Sequence, residues 1–170
     1  MNRPLDFASA SDFRQMMAGF PTGVSIVTAL GDDGVPWGMT CSSVCSVAVE
    51  PPTLIVCLRR SSPTLTAVLA RGAFAVNLLH DGARDKAELF ASGAPDRFDR
   101  VRWRCSAQNC GPHLLDDAHA IGDCRVTHTA PVGDHLVVFG EVRQIGRHPV
   151  ASRPLMYGLR QYAAWPVAAC

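Results

Sequence analysis

The 170-residue sequence predicts a mainly β fold: a small closed or nearly closed antiparallel barrel with a few helices at its periphery. Short runs rich in β-branched and aromatic residues recur between Gly, Pro and Asp signals, while helical periodicity is confined to a few brief stretches. Hydrophobic side chains make up 48% of the chain, enough for one core at this length, so residues 1–170 are read as a single domain.

The elements follow in chain order. Phe13, Met16, Met17 and Phe20 fall at helical spacing behind Ser11, a side chain suited to capping, and predict an amphipathic helix that covers the end of the sheet. Residues 24–30 predict a strand, and Gly31-Asp32-Asp33-Gly34 a turn that returns the chain toward Gly38 as a hairpin. Further strands are predicted at 43–49, 53–58, 73–79, 121–129 and 135–145. Between them Ser62 supplies an N-cap and Pro63 a first-turn proline. Leu65, Val68 and Leu69 form a stripe and Gly72 closes the helix. A second short helix fits 84–90. From 91 to 117 the pattern loosens into a long excursion with little regular structure, of the kind that caps a site or an interface.

Composition excludes several function classes. Sixteen basic and fifteen acidic side chains give a net charge of +1 with no block of like charge, so nothing recommends nucleic acid or a membrane surface as a partner. Basic residues are almost all arginine, Lys86 being the one lysine. Seven cysteines lack the spacing of a disulfide scaffold, and no apolar stretch reaches a membrane span or a signal-peptide core; a cytoplasmic setting is expected. No Gly-x-Gly-x-x-Gly opens a helix after a strand, and no P-loop, Gly-x-Ser-x-Gly elbow or His-Glu-x-x-His is present. Cys105, Cys110 and His113 are spaced more widely than a zinc knuckle and lack a second half, so no metal site is expected.

The most informative segment runs from Trp37 to Pro52. A glycine is followed by small hydroxyl and thiol side chains, an alternating strand and a double-proline stop, an order that suits a backbone wall lying against a flat polar ligand. Gly38 lets the chain approach that ligand, while Thr40, Ser42 and Ser43 offer hydroxyls. Ser62, at a helix start, is placed where unpaired N–H groups and the helix dipole favour an anion; an empty cap is the alternative. Asn77 interrupts an apolar strand, either to make a buried structural hydrogen bond, the favoured reading, or to contact a cofactor. His135 follows Gly133-Asp134 at the entry to another strand.

These segments, with Phe13-Arg14-Gln15, Thr22-Gly23-Val24, Gly38-Met39-Thr40, Glu50-Pro51-Pro52, Asp96-Arg97-Phe98, Gly133-Asp134-His135 and Pro154-Leu155-Met156-Tyr157, resemble in order the short-chain flavin reductases. Members are the reductase components of two-component flavin-dependent monooxygenases, and the resemblance covers about residues 12–165. It implies an FMN-binding split β-barrel, a Greek-key-type antiparallel barrel, assembled as a homodimer. By the same resemblance Gly38, Met39, Thr40, Cys41, Ser43 and Val44 line the flavin, FMN or FAD. Cys57, Leu58 and Arg59 form the neighbouring strand end, and Ser61 and Ser62 sit by the phosphate. His135, Tyr157, Arg160 and Tyr162 would lie on the nicotinamide side, for NADH or NADPH. The family commonly places an arginine directly before the last of these tyrosines; here Gln161 stands there and Arg160 one position earlier.

The implied reaction is hydride transfer from NADH or NADPH to flavin, with reduced flavin released to a partner monooxygenase. It needs no acid–base pair, because the nicotinamide and flavin carry the chemistry while the protein stacks and orients them. The alternatives are a split barrel that keeps its flavin and acts on a small substrate, and a non-catalytic barrel that carries flavin or haem.

Overall fold

The computed structural model describes residues 7–147 and 153–166. Its main sheet begins with β2 (Ser25–Leu30), which the turn at Gly31–Gly34 folds back onto β3 (Pro36–Cys41), with Thr28 opposite Gly38 and Ile26 opposite Thr40. The turn needs glycine at Gly34, whose φ is +77°. The chain continues through β4 (Val44–Val49) and β5 (Pro52–Arg59), an antiparallel pair, and then β6 (Ala73–Leu79). The long hairpin of β9 (Ala118–Val132) and β10 (His135–Arg147) turns at Gly133, φ +57°.

Seven strands lie in the order β3-β2-β6-β9-β10-β5-β4, and every neighbouring pair is antiparallel. The edge strand β3 packs beside β5 with no backbone ladder between them, and Cys41 of β3, whose thiol donates to the Cys57 carbonyl, joins Val56 and Leu58 of β5 in the core. The ladder therefore stays open at one seam, which makes the barrel a split one. Phe74 fills the centre, and a Cβ at Gly140 would stand 2.5 Å from its Cζ, so the facing strand must carry glycine there.

A second core layer forms where α3 (Arg84–Ser92) meets the excursion after it. Leu89 and Phe90 pack with Phe98 and Leu114, and the Phe90 and Phe98 rings meet edge to face at 5.1 Å. Here the sequence expectation is corrected: residues 91–117 contain a small two-stranded sheet, β7 (Trp103–Cys105) paired with β8 (Pro112–Leu114). Strands of three residues are too short to show a period of two. The hairpin of β11 (Leu155–Gly158) and β12 (Gln161–Ala164), which joins β1 (Thr22–Gly23) in a third sheet, was likewise unpredicted.

Two helix details differ from expectation. In α1 (Ala10–Ala18) the cap is Ser9, not Ser11: the Asp12 N–H donates to Ser9 Oγ. None of its residues is buried, and Phe13, Met16 and Phe20 are 54%, 63% and 62% exposed, so within one chain it covers no sheet end. In α2 (Pro63–Arg71) the start at Pro63 and the left-handed stop at Gly72 match the sequence reading. Ser62, however, makes no side-chain cap bond, and Leu69 is exposed beside buried Leu65 and Val68.

Candidate active-site clefts

Residues 37–40 of β3 form one wall of a cleft of about 540 Å³, faced by Arg59 at the end of β5, Ser62 to Thr64 at the start of α2, and Phe90, Ala91 and Arg97 at the end of α3 and beyond. The wall owes its position to contacts behind it. A Cβ at Gly38 would lie 3.0 Å from both Phe90 Cε1 and Phe98 Cζ and 3.1 Å from Thr28 Cγ2. A side chain here would have to push back the rings packed behind it, a reason for glycine that the sequence reading, which assigned it to ligand approach, did not contain. Thr40 Oγ1 donates to the Ala87 carbonyl at 2.6 Å, tying the wall to α3.

Arg97 completes the frame and is the functional residue that sequence reasoning passed over. Only 8% exposed, it donates from Nε to the Gly38 carbonyl at 3.0 Å and from Nη1 to the Ala94 and Gly93 carbonyls at 2.8 and 3.3 Å. Its guanidinium lies 5.7 Å from the Trp37 ring centroid. Burial pulls its pKa down from the ordinary arginine range, and no carboxylate among the described residues pairs with it. The only prior signal was its place within Asp96-Arg97-Phe98.

Of the flavin residues expected from the sequence, Gly38, Met39, Thr40, Arg59 and Ser62 meet in this cleft. Ser62 Oγ donates to Met39 Sδ at 3.3 Å, which turns the hydroxyl away from its own helix and leaves the first-turn N–H groups of α2 without a side-chain partner. Ser61 lines a neighbouring shallow cleft with Asp32 and Asp33, and Val44 a groove on another part of the barrel. Cys41 and Leu58 are buried in the core, and Cys57 is half-buried. Burial raises the Cys41 and Cys57 thiol pKa values and pushes Cys124 up to about 12, so these sulfurs stay protonated at neutral pH. Ser43 is exposed, and its carbonyl accepts the Cys57 N–H at 3.2 Å.

His135 stands directly opposite Arg59 across the β10–β5 ladder, so both side chains leave the same face of the sheet. Arg59 lines the cleft of the Thr40 wall, and His135 is its neighbour in the ladder and not itself part of the lining. Nδ1 of His135 is 2.7 Å from Asp134 Oδ1, and this bond holds the exposed Asp134 carboxyl below its usual range. Tyr157, Arg160 and Tyr162 are not in that cleft. With Arg84, Glu88 and Gln161 they line another, of about 390 Å³.

Asn77 is fully buried and structural. Its Nδ2 donates to the Ile26 carbonyl, Thr28 Oγ1 and the Pro112 carbonyl, and its Oδ1 accepts the Leu114 N–H at 2.9 Å. Cys105 is exposed and Cys110 buried, while His113 Nε2 lies 2.8 Å from Asp123 Oδ1. Among the described residues no three His, Cys, Asp or Glu side chains are grouped to hold a metal, and no helix is long and apolar enough to cross a membrane.

Comparison with known proteins converges on one family. Residues 17–166 match the profile of the flavin reductase like domain. The chain is 47% identical over 164 residues to a flavin reductase (NADPH) of Lentzea aerocolonigenes, covering 96% of this chain and 95% of that one. It is 43% identical to a flavin reductase (NADH) of Kitasatospora aureofaciens, covering 98% and 90%. Among solved structures, the NADH:FAD oxidoreductase of Streptomyces globisporus C-1027, in complex with NAD and FAD fragments, superposes with a TM-score of 0.87 at 28% identity, covering 97% of this chain and 99% of that one.

Proposed function

Since the chain belongs to the flavin reductase like domain family, we infer that it is an NAD(P)H:flavin oxidoreductase that hands reduced flavin to a partner flavin-dependent monooxygenase. The observation that carries this reading is one end of the barrel: the Gly38–Thr40 wall, Arg59 and Ser62 line a cleft of about 540 Å³, within the range of small-molecule sites, and His135 stands opposite Arg59 on the neighbouring strand. The residues fit a flavin. A flat wall with polar backbone suits the ring system, and the uncapped start of α2 beside Ser62 and Arg59 suits the phosphate. Held by the Gly38–Thr40 wall and the start of α2, a flavin would supply an N5 able to take a hydride from a dihydronicotinamide, with a proton from solvent completing the reduced flavin.

What this chain contributes is binding and orientation. Arg97 and Thr40 fix the wall, and His135, held at Nδ1 by Asp134, presents Nε2 toward the nicotinamide side. A second copy of the chain completes the assembly as a homodimer. Supporting this are the exposed apolar face of α1 and the apolar groove of about 350 Å³ lined by Val44, Leu54, Val76, Ile121 and Val142.

Anaerobic mixing of the protein with NADH or NADPH and free FMN or FAD is expected to bleach the flavin band over many turnovers. A firmly retained yellow flavin with no turnover of added flavin would overturn release to a partner. Replacing His135 by alanine is expected to lower kcat/KM for the nicotinamide donor by roughly tenfold or more while flavin affinity, read by fluorescence quenching, stays within about twofold. Unchanged donor kinetics would remove His135 from the site.

A further inference from the structure

Between the loop after β7 and the β9–β10 ladder lies a further cleft of about 350 Å³, lined by Ala73, Gln108, Cys110, Arg125 and Arg143. Its floor follows from strand register. Ala73, Arg125 and Glu141 stand opposite one another across β6, β9 and β10, so their side chains leave one face of the sheet. Beside them β10 carries one residue more than β9: Val142 pairs with Cys124 and Gln144 with Asp123, which leaves Arg143 as a bulge. Bulges re-aim side chains and gather beside functional sites, and this one sets a second guanidinium in the cleft with Arg125.

The facing wall is held in place before any ligand arrives. The Cys110 N–H donates to Ser106 Oγ at 2.8 Å and the Asn109 N–H to the Ser106 carbonyl at 3.0 Å. Gly111 is seated so closely on β2 that a Cβ there would stand 2.4 Å from the Thr28 carbonyl oxygen. From the last turn of α2, Arg71 Nε donates to the Asn109 carbonyl at 3.2 Å, so a third guanidinium stands against the loop whose residues 108 and 110 line the cleft.

The charges around this cleft do not balance. Arg143 Nη2 donates to Glu141 Oε2 at 3.2 Å, whereas Arg125, although Glu141 is its ladder neighbour, has no ion-pair or hydrogen-bond partner among the described residues. No carboxylate is among the described lining residues. Asp123, two positions before Arg125 on β9, is only 1% exposed and is turned to His113 at 2.8 Å. Burial raises the pKa of the Cys110 thiol, which stays protonated and adds no negative charge. Two guanidiniums that converge on one concave surface repel each other and favour an anion between them, which each can grip with paired N–H donors.

We propose that this cleft binds a small oxyanion, the phosphate or carboxylate group of a soluble metabolite, between Arg125 and Arg143, with the Gln108 amide hydrogen-bonded to the rest of the molecule. The site is separate from the flavin cleft. The two share no lining residue and lie toward opposite ends of α2, whose nine residues span about 13 Å. An anion bound here therefore does not compete with flavin for any residue of the Thr40 wall or of the α2 start.

Inorganic phosphate and citrate, each titrated into isotope-labelled protein at an ionic strength held constant with sodium chloride, test it through the backbone amide NMR signals of residues 106–111. Saturable shifts are expected with at least one of the two. Phosphate alone identifies a phosphoryl ligand, citrate alone a carboxylate, and both an oxyanion site that takes either. Arg125→Gln and Arg143→Gln change exposed positions, so both variants should fold. Each is expected to weaken the binding by roughly tenfold or more, as for a lost hydrogen bond to a charged group. Loop signals that move with neither anion, or an affinity that both variants leave unchanged, overturn the proposal.

Discussion

Changing Asn77 to aspartate is expected to destabilise the protein by about 4 kcal/mol at neutral pH, a large part of the total stability of a domain this size. The substitution alters one NH₂ to one oxygen. In the native structure that NH₂ faces three acceptors, the Ile26 and Pro112 carbonyls and Thr28 Oγ1, in a fully buried site. A carboxylate there loses both N–H donors, which are shared among those three acceptors, and sets a negative charge against oxygen lone pairs with no cation to answer it. The native state therefore favours the protonated acid, and its pKa in the fold rises above the unfolded value of about 3.9. It follows that the charge-dependent part of the penalty is nearly absent below about pH 4 and grows as pH rises toward the folded pKa, on top of a pH-independent cost from the lost amide N–H. Urea titrations at acid and neutral pH measure the difference; a loss independent of pH would show that the acid ionises as readily in the fold as in the unfolded chain, so that burial does not raise its pKa. Asn77→Leu, which carries no charge, should cost about 3 kcal/mol at all pH values, from the orphaned Leu114 N–H and the lost donor bonds.

Asn77 also shows what a sequence can and cannot disclose. That it is a buried structural polar residue was legible, because a single amide in an apolar strand has few other ways to be satisfied. Its partners were not, since Pro112 and Leu114 lie in the excursion, more than thirty positions away, where no periodicity marks a strand. The main strands were readable from β-branched runs and turn residues, and α2 from Pro63 and Gly72. By contrast, Ser9 displaced Ser11 as the cap of α1, a shift of two positions that near-equivalent residues cannot settle. The site divides the same way. The Gly38–Thr40 wall was visible as a local motif. That Tyr157, Arg160 and Tyr162 occupy a different cleft from Thr40 depends on how the third sheet packs on α3, which is a tertiary fact. Arg97 was hidden because a buried arginine that binds only carbonyls resembles, in sequence, any surface arginine.

Arg97→Met is expected to weaken flavin binding by roughly tenfold or more while keeping much of the side chain's packing volume. The reason is positional. Arg97 is the clamp that holds the carbonyl of Gly38, and with it the register of Trp37 to Thr40, against the turn after α3 at Gly93 and Ala94. Without the guanidinium three carbonyls lose a shared donor, and the wall is free to shift by an amount that a stacked ligand would register. Lysine should not restore binding, because one ammonium on a flexible stem cannot reproduce a planar fork that reaches carbonyls on both sides. Some stability must be lost as well, so binding is measured by fluorescence quenching well below the unfolding midpoint of each variant. Because the clamp acts on the wall and not on the phosphate, riboflavin, FMN and FAD should lose affinity by the same factor. If the loss were confined to FMN and FAD, Arg97 would be a direct phosphate contact; if all three bound as tightly as before, the wall would need no clamp and Gly38 would be held by Phe90 and Phe98 alone.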